Sequence, residues 1–160
     1  MKPIIIDNVL SQNDYGELLK SLPKNEECSL DAERSRYLLD YPYIRNVGMK
    51  LKDKARLIFN SENLEPSYSL LARYFGDANM EFHVDSNACT YTIDMCVRQT
   101  EPWGLWVSGV EYIINPNQAL CYLGNDHWHG RKMKCFPAGG FVEMIFFHYV
   151  EPGHWWFDKQ

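Results

Sequence analysis

The sequence predicts a mainly β protein, a jelly roll or barrel of about eight strands with flanking helices. Three observations carry this. From Ser67 onward, short apolar or alternating segments follow one another, punctuated by turn signals at Gly76-Asp77, Pro102, Ser108-Gly109, Asn115-Pro116-Asn117, Gly124-Asn125-Asp126 and Gly139-Gly140. Before Ser67, apolar residues recur at helical spacing in two segments. No internal repeat, low-complexity run or linker divides the 160 residues. One domain, 1–160, is therefore expected, with helical support and a possible lid in 1–66 and the β core in 67–151.

Taken in order, Ile4–Ile6 reads as a short strand. Ser11 can cap a helix, with Asp14 close to a capping-box position. Tyr15, Leu18, Leu19 and Leu22 share one helical face, and Pro23 ends the run. Residues 24–48 carry charge and tyrosine (Arg34, Arg36, Tyr37, Tyr41, Tyr43, Arg45) without a clean period. They read as a solvated loop or as a lid over a pocket. Lys50–Phe59 returns to helical spacing through Leu51, Ala55, Ile58 and Phe59. Strands are expected at 67–75, 80–85, 90–97, 103–107, 110–114, 118–123, 127–134 and 141–150, with the helices over one sheet's outer face.

Composition narrows the function classes. A net charge of -5 argues against bulk attraction to nucleic acid or anionic membranes. No apolar run approaches the roughly 20 residues of a membrane span, and Ile4–Ile6 is too short for the core of a leader. The five cysteines are odd in number and lack C-x-x-C spacing. Free thiols in a reducing, cytoplasmic setting are expected rather than a zinc knuckle or disulfide framework.

Chemistry concentrates in Glu81-Phe82-His83-Val84-Asp85 and His127-Trp128-His129-Gly130-Arg131. On a strand, His83 and Asp85 project to one face, spaced to bind one ion from two sides. A third ligand from 127–131 completes two His and one carboxylate, a donor set that suits Fe(II) and leaves positions open. His127 and His129 share a face, so spacing alone leaves the choice between them open. Between Asp85 and the later histidines there is room for four strands, as a jelly roll needs to bring its second and seventh strands together. Tyr91, His127 and Trp103 are candidates for a substrate pocket, and Asn87 and Thr92 for orienting ligands. Cys89 and Cys121 are expected to point away from the ion, and His148 and His154 to be structural.

One ordered set of segments carries more: Leu71-Ala-Arg-Tyr-Phe-Gly, His83-Val-Asp85, Pro102-Trp103, Asn117-Gln-Ala-Leu-Cys-Tyr-Leu-Gly124, His129-Gly-Arg131 and Phe147-His-Tyr-Val150. It resembles the 2-oxoglutarate/Fe(II)-dependent dioxygenases, in particular their compact prolyl-hydroxylase-like members, over residues 67–151. The resemblance implies a double-stranded β-helix (jelly-roll) core with Fe(II) at His83, Asp85 and His129. It also implies a reaction that couples oxidative decarboxylation of 2-oxoglutarate by O₂ to hydroxylation of a C–H bond, with those three residues catalytic. His129 is favoured over His127 by its distance from Gly124 and by the H-x-R ending. Tyr74 falls where such enzymes often bind the cosubstrate carboxylate.

The family's usual basic residue, downstream of the distal His, is missing here. Pro137–Glu143 has none, and Glu143 is expected to repel the carboxylate. Arg131 is the expected anchor, with Arg73 and Lys134 in reserve. A metal-binding jelly roll without catalysis is the alternative. The primary substrate is expected to be a protein side chain or small molecule rather than nucleic acid.

Overall fold

The computed structural model describes residues 1–159. Strand β1 (Ile4–Ile6) leads into helix α1 (Gln12–Lys20), which Ser11 caps by accepting from Asp14 N–H at 3.1 Å. Then come β2 (Ser29–Asp31), β3 (Arg36–Leu39), α2 (Pro42–Lys50) and α3 (Lys52–Phe59). The core follows as β4 (Glu65–Phe75), β5 (Asp77–His83), β6 (Tyr91–Gln99), β7 (Leu105–Val107), β8 (Val110–Tyr112), β9 (Ala119–Leu123), β10 (His129–Cys135) and β11 (Phe141–Val150). All eight expected core strands are present. Among the described residues, no helix is long and apolar enough to cross a membrane.

The strands form a seven-stranded sheet, β1-β9-β6-β11-β4-β3-β2, and a four-stranded sheet, β5-β10-β7-β8. Within the core the first strand pairs with the eighth, the second with the seventh and the third with the sixth, all antiparallel. This is the jelly roll the strand count predicted. Alternation along β11 assigns the faces. Ile145, Phe147 and Tyr149 join Leu18, Ile44, Val47 and Ala55 in a core between the large sheet and the helices. Val142 and Met144 join Ala72, Tyr74, Cys96 and Leu105 in a second core between the sheets. Helix α2 lies close on the sheet because Gly48 has no side chain, and a Cβ there would stand 2.8 Å from Ser69 Oγ.

Two expectations change. Residues 24–48 are neither an aperiodic loop nor a free lid. They hold a short 3-10 turn, a β2–β3 hairpin and α2. β3 extends the large sheet by pairing with β4 (Leu38 opposite Ala72), and Pro42 starts α2 at its first turn, where a missing N–H costs nothing. The helix expected over 50–59 is α3 alone, since Lys50 closes α2 and Leu51 joins the two.

Glu143 also departs from expectation. It is fully buried on the outer face of the large sheet, away from the space between the sheets. It stands across from Arg73 on β4 and Arg98 on β6, and both arginines donate to its carboxylate, Arg98 Nε at 2.6 Å. Its charge is therefore neutralised and cannot repel a ligand between the sheets. Glu143→Gln keeps the volume but weakens two charge-assisted bonds, and we expect it to lower unfolding free energy by about 1.5 kcal/mol, read from the urea midpoint.

Candidate active site

Antiparallel register sets the first two ligand positions, because His129 at the start of β10 stands directly across from His83 at the end of β5. Their rings lie 4.4 Å apart, centroid to centroid. Asp85 lies just past β5, fixed where its N–H donates to the Gly124 carbonyl at 2.9 Å. Asp85 Oδ1 then sits 3.4 Å from His83 Nε2, and Oδ2 sits 3.7 Å from His129 Nε2. One ligand atom from each residue lies within 4.8 Å of the other two.

Hydrogen bonds orient both rings for coordination. His83 Nδ1 faces the Glu81 carbonyl at 2.7 Å, and His129 Nδ1 faces the His127 carbonyl at 2.8 Å. A carbonyl only accepts, so each Nδ1 carries the proton and each neutral ring presents the Nε2 lone pair inward. Electrostatics separates the two rings. The hydrogen bond to Asp85 raises the His83 pKa, while burial lowers that of His129. Burial pushes the Asp85 carboxyl upward, yet the His83 hydrogen bond and the charges of the surrounding histidines leave it below its ordinary value. An anionic carboxylate beside two lone pairs is a donor set that could hold a cation.

Gly124 keeps this arrangement open. A Cβ there would run into Asp85 Oδ2 and would stand 2.6 Å from the Cys89 carbonyl and 2.7 Å from Thr92 Oγ1. Backbone cannot yield as a flexible side chain does, so Asp85 must move. Gly124→Ala is expected to weaken divalent-metal binding about 10-fold, the scale of lost ligand support, measured by calorimetric titration.

The ligands open into a cavity of about 350 Å³, whose wall includes Arg34, Arg36, Tyr68, Leu70, Tyr74, Phe82, Asp94, Tyr122, Phe146 and His148. The Tyr74 hydroxyl accepts from Arg36 Nη1 at 3.2 Å, and its own proton has only the Met80 sulfur, at 3.8 Å. That proton is free for a better acceptor. Arg131 lies behind this wall, 2% exposed, its Nη1 donating to the Trp103 carbonyl and its guanidinium 5.0 Å over the Trp103 ring. Its charge acts on Tyr74, Asp94 and Tyr122, all three on the cavity wall. Arg131 Nε, Arg131 Nη2 and Asp94 Oδ1 are the buried side-chain polar atoms without a partner among the described residues. An unsatisfied buried donor costs about 1–3 kcal/mol, so two on one guanidinium are a standing cost within the chain itself.

Several expected pocket residues are placed elsewhere. Tyr91 faces the helices, packing on Phe59 and donating to Glu151 at 2.9 Å. His127 does not line the cavity. Its ring nitrogens bond Ser108 Oγ and the Met1 carbonyl, each at 2.9 Å. Trp103 is a core residue, edge-on to Tyr74 and Phe136, its indole N–H on the Lys132 carbonyl. Of the reserve cations, Arg73 is held by Glu143 and Lys134 pairs with Glu101 at 3.0 Å. Cys121 lies in the helix-side core, as expected, but Cys89 turns toward Asp85. His148 is no remote structural residue either, since it lines the cavity, and burial lowers its pKa to about 4.

Asp94 and Tyr122 were missed. The Tyr122 hydroxyl donates to Asp94 Oδ2 at 2.9 Å, and burial raises the Asp94 carboxyl to about 7. A lone acid in the apolar run Ile93–Val97 is the signal that could have found it. Arg34 and Arg36 reach the cavity through the hairpin, whose short strands left no period to read.

No protein-family profile matches the sequence, and no curated protein does. Solved structures match well. HygX from Streptomyces hygroscopicus, with nickel, 2-oxoglutarate and hygromycin B bound, superposes with a TM-score of 0.72 at 12% identity, over 94% of this chain and 83% of that one. The viral collagen prolyl hydroxylase vCPH from Paramecium Bursaria Chlorella virus-1, as its 2OG complex, gives 0.66 at 15% identity, over 93% and 95%. The non-heme alpha ketoglutarate dependent epimerase SnoN from nogalamycin biosynthesis gives 0.71 at 9%, over 93% and 77%. The chain has the fold of these 2-oxoglutarate/Fe(II) oxygenases.

Proposed function

We propose that the protein is an Fe(II)- and 2-oxoglutarate-dependent dioxygenase that hydroxylates a C–H bond of its substrate, releasing succinate and CO₂. The observation that carries this is the convergence of His83 Nε2, His129 Nε2 and the Asp85 carboxylate at one end of a cavity in a fold shared with such enzymes. Two imidazoles and one carboxylate suit Fe(II) and leave coordination positions for a cosubstrate and O₂. When bound, the ion would activate O₂, with 2-oxoglutarate giving two of the four electrons that O₂ takes up and the substrate C–H bond giving the other two.

The chain's own residues hold and shield. His83, Asp85 and His129 hold the ion, their Nδ1–H bonds to backbone keeping both rings in place. With 2-oxoglutarate bound, Tyr74 would offer its free proton, and Arg131 its two unused donors, to the far carboxylate. These donors support an anchor in place of the missing downstream base, whose absence favours the alternative of a non-catalytic metal-binding module. Tyr68, Leu70, Phe82 and Phe146 supply the apolar part of the cavity wall, against which a substrate's carbon skeleton can pack. The cavity size fits a small molecule or a single protein side chain. All five cysteines are unpaired, in keeping with a cytoplasmic setting.

The test is succinate release. With Fe(II), ascorbate, O₂ and 2-oxoglutarate, slow uncoupled turnover is expected even without the primary substrate. Tight zinc binding with no 2-oxoglutarate consumption would instead mark a binding module.

A further inference from the structure

A second donor cluster adjoins the first through Asp85, and its other two members, Cys89 and His148, have no part in that chemistry. The Cys89 sulfur, a ring nitrogen of His148 and a carboxylate oxygen of Asp85 lie within 4.8 Å of one another. Cys89 ends the short 3-10 turn Asn87–Cys89, His148 belongs to β11, and they are 3% and 6% exposed. We propose that Asp85, Cys89 and His148 form a second metal site, for a thiolate-seeking divalent cation such as zinc, sharing Asp85 with the first triad. The site goes beyond the iron reading and rests on it only through that shared carboxylate.

The donor types separate the two sites. Sulfur, imidazole nitrogen and carboxylate oxygen are the atoms zinc takes, and thiolate discriminates against magnesium and calcium. His83, Asp85 and His129 offer no sulfur. The surroundings prepare the second set as they prepare the first. Thr92 Oγ1 donates to the Cys89 carbonyl at 3.0 Å, so at 3.2 Å from His148 Nδ1 it accepts that nitrogen's proton. The neutral His148 ring then carries its lone pair on Nε2. The Tyr68 hydroxyl stands 2.9 Å from the Cys89 sulfur and can donate to a thiolate. Tyr68 also packs on His148, the rings tilted by 44° with centroids 4.6 Å apart, so one side chain touches both donors. Binding replaces the Cys89 S–H by a sulfur–metal bond and releases the proton to water, with no change of oxidation state.

Cobalt(II) is the probe, because it takes zinc's ligands and reports thiolate ligation by a near-ultraviolet charge-transfer band. Metal-free reduced protein titrated with cobalt(II) is expected to develop this band. His83→Ala, which removes a ligand of the first triad only, is expected to keep it. Cys89→Ser and His148→Gln are each expected to lose it while melting near the wild-type temperature. Should Cys89→Ser fail to fold, His148→Gln decides, since its thiol is intact. No band at saturating cobalt, a band unchanged in Cys89→Ser, or a band lost in His83→Ala would each overturn the second site. The iron reading is scored separately, by the iron–cosubstrate absorbance of Cys89→Ser, which is expected to persist.

Discussion

His129→Ala is expected to lower Fe(II) affinity by at least about 100-fold and to abolish succinate formation, while His127→Ala leaves both near wild type. The magnitude follows from ligand count. Outer partners of a metal ligand are worth about 10–100-fold in affinity, and removing one of three ligands exceeds that. The contrast follows from placement. His129 Nε2 stands 3.7 Å from Asp85 and its ring is 3% exposed, whereas both ring nitrogens of His127 are occupied by Ser108 and Met1. The His127 carbonyl, which holds the His129 ring, survives the alanine change. Metal titration and succinate assay of the two variants side by side settle the third ligand. Equal loss in both would show that the 127–129 segment acts only through its fold.

Arg131→Met is expected to weaken 2-oxoglutarate binding about 10- to 100-fold, the equivalent of about 1.5–3 kcal/mol for charge-assisted hydrogen bonds. Its effect on the metal-bound protein without cosubstrate should be small or stabilising, because methionine also removes two orphaned donors and a buried charge. That split separates a cosubstrate anchor from a structural arginine. A purely structural Arg131 would lower the melting temperature and leave cosubstrate affinity intact. Arg36 sharpens the comparison. Asp31 holds it at 2.9 Å and it donates to the Tyr74 hydroxyl, so it reaches the same wall from the hairpin.

Much of this was legible in the sequence, for identifiable reasons. The core strands are bounded by turn residues, and pairing the second with the seventh follows from jelly-roll order, which sets His129 across from His83. What stayed hidden was which way certain strand residues face. β6 is buried on both sides, with Ile93, Met95 and Val97 under the helices and Thr92, Asp94 and Cys96 between the sheets. Apolar residues on both faces erase the period of two, so the sequence does not show that Tyr91 faces the helices and Asp94 the space between the sheets. Strands of three and four residues, such as β2 and β3, are too short to show a period at all. Cys89 and His148 meet only because β11 packs over the 87–89 turn, a tertiary contact with no local trace.

The central claim, one ion held by His83, Asp85 and His129 with 2-oxoglutarate chelated to it, is tested most directly by anaerobic absorbance. Adding Fe(II) and then 2-oxoglutarate to the metal-free protein is predicted to produce a weak visible charge-transfer band that is absent in Asp85→Ala. Fe(II) bound with no band on saturation with 2-oxoglutarate would contradict the claim.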